Sequence, residues 1–206
     1  MALVKHNNNS ISAVTSMASL STGSMVLIKE QTASSSASIS FVDGSSDVVL
    51  DSTYPIYKFV YINCHPATND VGFQVNFSTD SGSNYNVTKT TTAFYAQHRE
   101  DDSTVFTYYG AVDQAQATGF QYLTGGTGNG NDESLSGHLF LFNPSSTTFV
   151  KHFMANTQEY NAAPSSNNYY MAGYCNTTSA VDGVRFQMSS GNIDSGTIKL
   201  YGIRDS

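Results

Sequence analysis

The densest group of ionisable side chains in the sequence is the run His98 to Asp102, HREDD. Two carboxylates facing each other across a cleft are what glycoside hydrolysis requires. The run lies between two segments with the pattern of strands, however, and a charged run in that position is typical of a solvated turn. We therefore favour a turn, and a polysaccharide-degrading enzyme is the third of three functional hypotheses.

Two further motifs have the composition of reactive sites. Cys64-His65-Pro66 places a thiol beside an imidazole, but neighbouring side chains of a strand point to opposite faces, so the two groups should not bond. The run Thr124 to Asn131, TGGTGNGN, lacks the Lys-Ser/Thr ending of a phosphate-binding loop. We predict a strand end at the first motif and an exposed, flexible loop at the second.

Metal-ligand patterns are equally weak. The five histidines, His6, His65, His98, His138 and His152, do not have the spacing of zinc ligands. Asp80, Asp132 and Glu133 could offer oxygen ligands to calcium from loops, but the EF-hand pattern is missing. We predict no catalytic residue, no cofactor and no metal site, and hence a protein that is not an enzyme.

Two tyrosine pairs, Tyr108-Tyr109 and Tyr169-Tyr170, offer binding chemistry instead. Aromatic rings with phenol groups can hold sugars, and they also fill cores and subunit interfaces. Because side chains alternate along a strand, one tyrosine of each pair should point inward and the other outward. We favour the core-and-interface interpretation, and the same four residues are the candidate glycan contacts of a second hypothesis.

The composition is that of a β-rich protein with an uncharged polar surface. Only 12% of the 206 residues are charged, compared with about 25% in typical globular domains. The net charge of −7 disfavours binding to a nucleic-acid backbone. Thirteen Tyr and twelve Phe supply the bulk of a sandwich core.

Cysteines and leader signals set the expected compartment. The sequence leaves open whether Cys64 and Cys175 form a disulfide. Residues 1–10 lack the apolar core of a signal peptide, and no run approaches the roughly 20 apolar residues of a membrane span. We expect a protein made in a cytoplasm, with no membrane span.

Short apolar runs between turn-forming residues predict about ten to twelve strands and no long helix. Ile56 to Ile62, IYKFVYI, is apolar nearly throughout, as in a central strand covered on both faces, and Val71 to Phe77 alternates most regularly. The other predicted strands are Val26–Ile28, Ile39–Val42, Val48–Leu50, Ala93–Gln97, Thr104–Tyr109, Leu139–Phe142, Thr147–Phe153, Tyr169–Cys175, Val184–Met188 and Ile198–Leu200. The pattern indicates an all-β protein, an antiparallel jelly-roll-like β-sandwich.

The N-terminus differs from the rest of the chain. Residues 1–25 are small and polar, with apolar residues three apart at Ile11, Val14, Met17 and Leu20. This pattern suits a short helix or an extended arm, and the Ser and Thr content leads us to favour an arm that docks on another surface. We predict an N-terminal anchoring arm over residues 1–25 and a single β-sandwich domain over residues 26–206.

The C-terminal run Asp182 to Ile203, DGVRFQMSSGNIDSGTIKLYGI, contains two alternating strands joined by a polar turn. It resembles the final strands of jelly-roll proteins on the particles of tailed, particularly marine, bacteriophages. The likeness extends from Ser136, SGHLFLFNPSSTTFVK, to the C-terminus, and more loosely to FSTDSGSNY at Phe77 to Tyr85. It implies a virion protein.

The resemblance leads to a functional expectation. We expect a non-enzymatic capsid decoration or cement protein, assembled as a homo-oligomer, a trimer, and bound through its arm to the major capsid protein or to tail components. The head is favoured because the chain has no coiled-coil or shaft repeat. The alternative is a tail fibre or receptor-binding module that recognises host surface glycan.

Overall fold

The computed structural model describes residues 24–204, and within them the secondary structure consists of twelve β-strands. They are β1 (Met25–Ser36), β2 (Ile39–Val42), β3 (Ile56–Pro66), β4 (Phe73–Ser78), β5 (Lys89–Arg99), β6 (Thr104–Tyr108), β7 (Gln121–Tyr122), β8 (Leu135–Phe142), β9 (Lys151–Asn161), β10 (Ser165–Cys175), β11 (Gly183–Met188) and β12 (Ile193–Ile203). The all-β prediction is confirmed. The predicted arm lies outside the described residues except at its end, where Met25 begins β1.

The strands form two antiparallel sheets. The large sheet has eight strands in the order β1-β12-β3-β8-β9-β10-β5-β6, and the small sheet has four in the order β2-β11-β4-β7. The first and last strands pair along most of their length, from Met25 opposite Ile203 to Ser36 opposite Ile193. The C-terminal strand therefore lies between β1 and β3.

Aromatic side chains from the two sheets meet in the core. Phe41 of β2 packs edge-on against Phe59 of β3 with ring centroids 5.4 Å apart. Phe73 of β4 lies 5.2 Å from Tyr61 of β3, and Phe77 of β4 lies 5.0 Å from Phe153 of β9. All these rings are fully buried. The sheets thus pack face to face in a sandwich-like arrangement, held by the alternating inward residues of each strand.

Several predicted strands differ in detail from the structure. Val48–Leu50 is buried but is not a strand, because the turn after β2 packs it on the core as irregular chain. The strand predicted from Thr147 begins only at Lys151. β3 is central as expected, but only its inward face is fully covered, and Ile62 is 40% exposed. In β4 the alternation suggests one exposed face, but every residue is buried, including the polar ones.

Most of the glycine-rich run at 124–131 is not the exposed loop that its composition predicts, and only Asn129 and Asn131 in the run are exposed. Thr124 and Thr127 are fully buried, and Thr127 exchanges backbone hydrogen bonds with Val71. Glycine is required because neighbours lie close: a Cβ on Gly125 would be 2.6 Å from the hydroxyl of Tyr169. The run is a packed cover over the inner face of the large sheet.

Candidate functional site

The structure separates the two members of each tyrosine pair, as strand alternation predicts. Tyr169 is 3% exposed and Tyr109 packs partly buried against it, with ring centroids 6.0 Å apart. Tyr108 and Tyr170 point to the other side, where they are 56% and 45% exposed. The four candidate glycan contacts therefore do not form one site, because the large sheet lies between the two pairs of rings.

Tyr108 and Tyr170 belong to a larger surface that we call the aromatic strip: Phe94, Phe106, Tyr108 and Tyr170. The backbone register sets Phe94 of β5 directly between Tyr108 of β6 and Tyr170 of β10. Phe106, two residues before Tyr108 and on the same face, is 76% exposed. The strip covers the outer face of the large sheet at its β6 edge.

The rings of the strip pack on one another. Phe94 and Tyr170 are stacked, with centroids 4.9 Å apart and planes 10° apart. Phe106 lies edge-on to Phe94 at 5.8 Å. A sugar stacks on an open ring face, and Phe94 and Tyr170 turn one face toward each other, so those two faces are not open to a sugar. Such a surface suits contact with apolar protein side chains better than sugar stacking.

Residues 100–102 of the charged run lie in the predicted turn between β5 and β6, whereas His98 and Arg99 end β5. His98 and Asp102 pair through Nε2 and Oδ1 at 3.1 Å, and the Asp102 carboxylate is almost fully exposed. Glu100 accepts a hydrogen bond from the hydroxyl of Tyr160 at 3.2 Å. His98 and Glu100 border an open cleft of about 490 Å³, together with Gln158, Tyr160 and Ser166 among others.

The cleft does not bring two carboxylates face to face. Glu159 also borders it, but β9 alternates, and the Glu159 side chain lies on the buried face of the sheet with Thr157. Glu100 is bonded to Tyr160, and Asp102 is paired with His98. The described geometry therefore offers a polar groove with amide, hydroxyl and imidazole groups and does not assemble the acid pair that the hydrolase hypothesis requires.

Glu159 is a buried carboxylate held entirely by neutral donors. Its Oε2 accepts from the hydroxyl of Thr127 at 2.7 Å, and its Oε1 accepts from the hydroxyl of Tyr169 at 2.9 Å and from the amides of Asn161 and Asn167 at 3.0 and 3.2 Å. Burial, and then the negative charge of Glu159, raise the pKa of Tyr169. This network ties the glycine-rich cover to β9 and β10.

Two lysines are also fully buried, on either side of Cys175 in the register of β5, β10 and β9. Lys89 donates to the Asn76 side-chain oxygen at 2.8 Å and to the carbonyl of Val87 at 3.1 Å. Lys151 donates to the carbonyls of Phe149 and Thr177. Burial lowers the pKa of Lys89 to about 8 and raises that of the Cys175 thiol to about 12. The two lysines and Cys175 are buried, and the lysines donate their hydrogen bonds to neighbouring residues, so all three form part of the core.

The cysteine and loop candidates also have structural partners. Cys64 and Cys175 are both free and buried. His65 turns away from Cys64 and bonds through Nε2 with the carbonyl of Gly130. The Asp80 carboxylate accepts hydrogen bonds from Asn84 and Ser78. These hydrogen bonds close the β4–β5 loop and lower the pKa of Asp80. Within residues 24–204 no group of three or more His, Cys, Asp or Glu residues is arranged to hold a metal ion.

Comparisons of the chain with family models, with curated proteins and with solved structures give no match. In the described part of the chain, no helix is long and apolar enough to cross a membrane.

Sequence reasoning missed two members of the aromatic strip. Phe94 and Phe106 belong to predicted strands, and the alternation of Phe106 with Tyr108 in the run Thr104–Tyr108 places both rings on one face. Pairing of Phe94 with Tyr170 depends on which strands are neighbours, and the sequence does not reveal this order. The buried partners of Glu159 were missed for the same reason.

Proposed function

We propose that this protein is a non-enzymatic structural component of a tailed-bacteriophage particle, a capsid decoration or cement protein that assembles with copies of itself. The N-terminal residues 1–25 act as the anchor to the major capsid protein or to tail components, and the sandwich lies on the particle surface. The proposal rests on the resemblance of the C-terminal strands, on the strand order and on the aromatic strip.

The strand order supports a jelly roll with additions. Setting aside β5, β6, β9 and β10, which we call the added strands, leaves β1-β12-β3-β8 in one sheet and β2-β11-β4-β7 in the other. The first of these eight strands lies beside the last, and all consecutive pairs except β4 and β7 lie in opposite sheets. Two interlocked Greek keys have this order, and jelly rolls of this kind build viral capsid and lectin domains.

The observation that carries the proposal is the position of the aromatic strip. All four of its residues lie on the added strands, which come from two separate connections, β4–β7 and β8–β11, and still pair as one block through β10 and β5. A patch of exposed aromatic rings on an otherwise polar protein marks a contact surface. Because Phe94 and Tyr170 stack on each other and Phe106 packs edge-on to Phe94, we assign the strip to contact with protein.

The test is the location and assembly of the protein. We expect an antibody or fusion label to place it on the head of the particle of its phage, and mass measurement of the purified protein to give a symmetric oligomer, a trimer. Deletion of residues 1–23 should release the protein from particles while the sandwich remains folded. A label absent from purified particles would contradict the proposal.

The second candidate is a receptor-binding module for host surface glycan, which the polar cleft beside the strip favours. Gln158, Ser166 and His98 offer amide, hydroxyl and imidazole groups there, as sugar hydroxyls require. A glycan array is the discriminating measurement. Glycan binding that is lost in Gln158→Ala and retained in Tyr170→Ala would favour this function over decoration.

A further inference from the structure

We propose that two copies of this chain associate through antiparallel pairing of their β6 strands, so that the large sheets of the two copies become one continuous sheet. The inference deepens the self-assembly of the proposed function and rests on it. The pairing is two-fold, so alone it gives a dimer, and on a particle it would join neighbouring trimers.

The β6 edge differs from the other three sheet edges. In natural proteins, edges are blunted by short strands, bulges or charges. In the described part of the chain, β2 has four residues and β7 has two, and β1 carries a bulge after Leu27 and the Lys29 and Glu30 charges. β6, TVFTY, is uncharged, rich in β-formers and exposed at all five positions. It has the features of an edge that receives a partner.

The hydrogen-bonding groups of β6 are matched to a second copy of itself. Ser103 accepts from Arg99 of β5, and Tyr109 donates to Ala93 of β5. In an antiparallel ladder alternate residues face the same neighbour, so Thr104, Phe106 and Tyr108 direct their N–H and C=O groups away from β5. Pairing centred on Phe106 sets Thr104 opposite Tyr108 of the second copy. Each such pair then exchanges two backbone hydrogen bonds.

The side chains add apolar area to this pairing. At about 200 Å² for a whole aromatic side chain, Phe106 and Tyr108 expose roughly 250 Å² on each copy. A pair that also covers part of Phe94, the two threonines and the strand backbone buries about 1,000 Å² in total, the lower bound of a specific interface. We therefore expect a dimer with a dissociation constant in the micromolar range, strengthened where many copies are held side by side.

Sedimentation equilibrium from about 1 µM to about 1 mM measures this association, as the step from monomer to dimer or, for a protein already trimeric, the step that joins two trimers. Phe106→Lys, which sets two like charges opposite each other, should raise the dimer dissociation constant by about tenfold or more. Phe149→Lys is the matched control, because Phe149 is also exposed, at 71%, and lies in the β8–β9 turn. It should leave the constant unchanged.

Disulfide trapping tests the register independently of any loss of folding. In the proposed pair, residue 106 faces residue 106 of the second copy at a Cα separation of about 5.5 Å, within disulfide range. Phe106→Cys should therefore form a covalent dimer under mild oxidation, and Thr104→Cys alone should not. Thr104→Cys mixed with Tyr108→Cys should cross-link. Cys64 and Cys175 do not compete, since both are buried.

The outcomes separate the two proposals. The β6 contact is overturned if the protein forms an oligomer whose dissociation constant is the same in the wild type and in Phe106→Lys, and if Phe106→Cys cross-links no better than Thr104→Cys. That result leaves self-assembly in place. A label absent from particles overturns the proposed function, whereas a 106 cross-link would still establish the contact. A wild-type protein that stays monomeric to about 1 mM overturns the contact and also the trimer in solution, and the label on particles then decides the proposed function separately.

Discussion

Three charged side chains, Lys89, Lys151 and Glu159, are buried almost completely, and their polar partners are neutral groups. Removing a charge from water costs several kcal/mol unless hydrogen bonds replace the lost hydration. Glu159 receives bonds from hydroxyl and amide groups, and each lysine donates to oxygens of nearby chain segments. These residues fix loops against strands, and the titration of the two lysines, whose pKa values burial lowers, should appear in the stability of the protein.

Lys89 predicts a rise in stability with pH. Burial lowers its pKa to about 8 in the folded protein, so above that pH the unfolded state binds more protons and the free energy of unfolding increases. From about pH 7 to about pH 9 Lys89 should contribute about 1 kcal/mol to the free energy of unfolding, seen as the difference between the wild type and Lys89→Met. Urea denaturation at both pH values measures it. Lys89→Met should lack this contribution, whereas the buried Lys151, whose pKa burial also lowers, remains in both proteins.

The control is Lys29→Met in β1, where the side chain is half-buried at the sheet edge. This variant should keep the pH dependence of the wild type. Burial raises the pKa values of the Cys64 and Cys175 thiols to about 12, so these thiols lower stability as the pH rises through their ordinary pKa of about 8.5. The wild type and both variants contain them, so this loss cancels in the comparison. A Lys89→Met protein with the full wild-type gain would show that Lys89 is not the titrating group.

At the scale of elements, the middle of the large sheet depends on close approach between β8 and β9. Gly137 of β8 lies opposite Thr157 of β9, and a Cβ there would be 2.3 Å from the carbonyl oxygen of Asn156 and 2.7 Å from the ring of Tyr61. The carbonyl belongs to a paired strand and the ring is fully buried. Neither neighbour can move without disturbing the sheet.

Gly137→Ala should therefore lower the free energy of unfolding by about 2 to 4 kcal/mol. Thermal and urea unfolding measure the change. Gly110→Ala is the matched control, because the nearest atoms to its new Cβ are 3.7 Å away, an ordinary contact. The control should stay within about 0.5 kcal/mol of the wild type. Equal stability of the two variants would contradict the close approach of β8 and β9.

The sequence allowed most strands to be predicted because period-two alternation is a local signal. The strands around Phe73, Tyr169 and Phe186 could be placed from a few neighbours alone. The glycine-rich run was misinterpreted because its burial depends on Glu159 and Tyr169, which come more than thirty residues later. A glycine-rich composition indicates a flexible backbone, but it does not indicate whether other parts of the protein pack against that backbone.

The candidate site was predictable only residue by residue. Alternation correctly separated Tyr169 from Tyr170, since it concerns neighbours in one strand. The aromatic strip is assembled by β10 pairing with β5, and β5 with β6. The first of these pairings joins strands far apart in the chain, and no local pattern encodes it. The sequence alone therefore does not show that Phe94 and Phe106 belong to one exposed surface.

At the scale of the whole molecule, the net charge opposes association of two copies and the exposed aromatic side chains favour it. Each copy carries a formal net charge of −7, so two copies repel each other at long range. The β6 strand is uncharged, and the neighbouring turn contributes Asp101 and Asp102. A contact made by apolar side chains and backbone hydrogen bonds must overcome this repulsion. Its affinity should therefore rise with salt, whereas the affinity of a contact between opposite charges should fall.

We expect added salt to strengthen the association. Raising NaCl from about 0.02 M to about 0.5 M shortens the Debye length from about 20 Å to about 4 Å and screens the repulsion. The dimer dissociation constant, measured by sedimentation equilibrium, should fall about three- to tenfold. A contact built from opposite charges would weaken instead, so a constant that rises with salt would contradict pairing through β6. Phe149→Lys should follow the wild-type trend, because its substituted residue lies outside the contact.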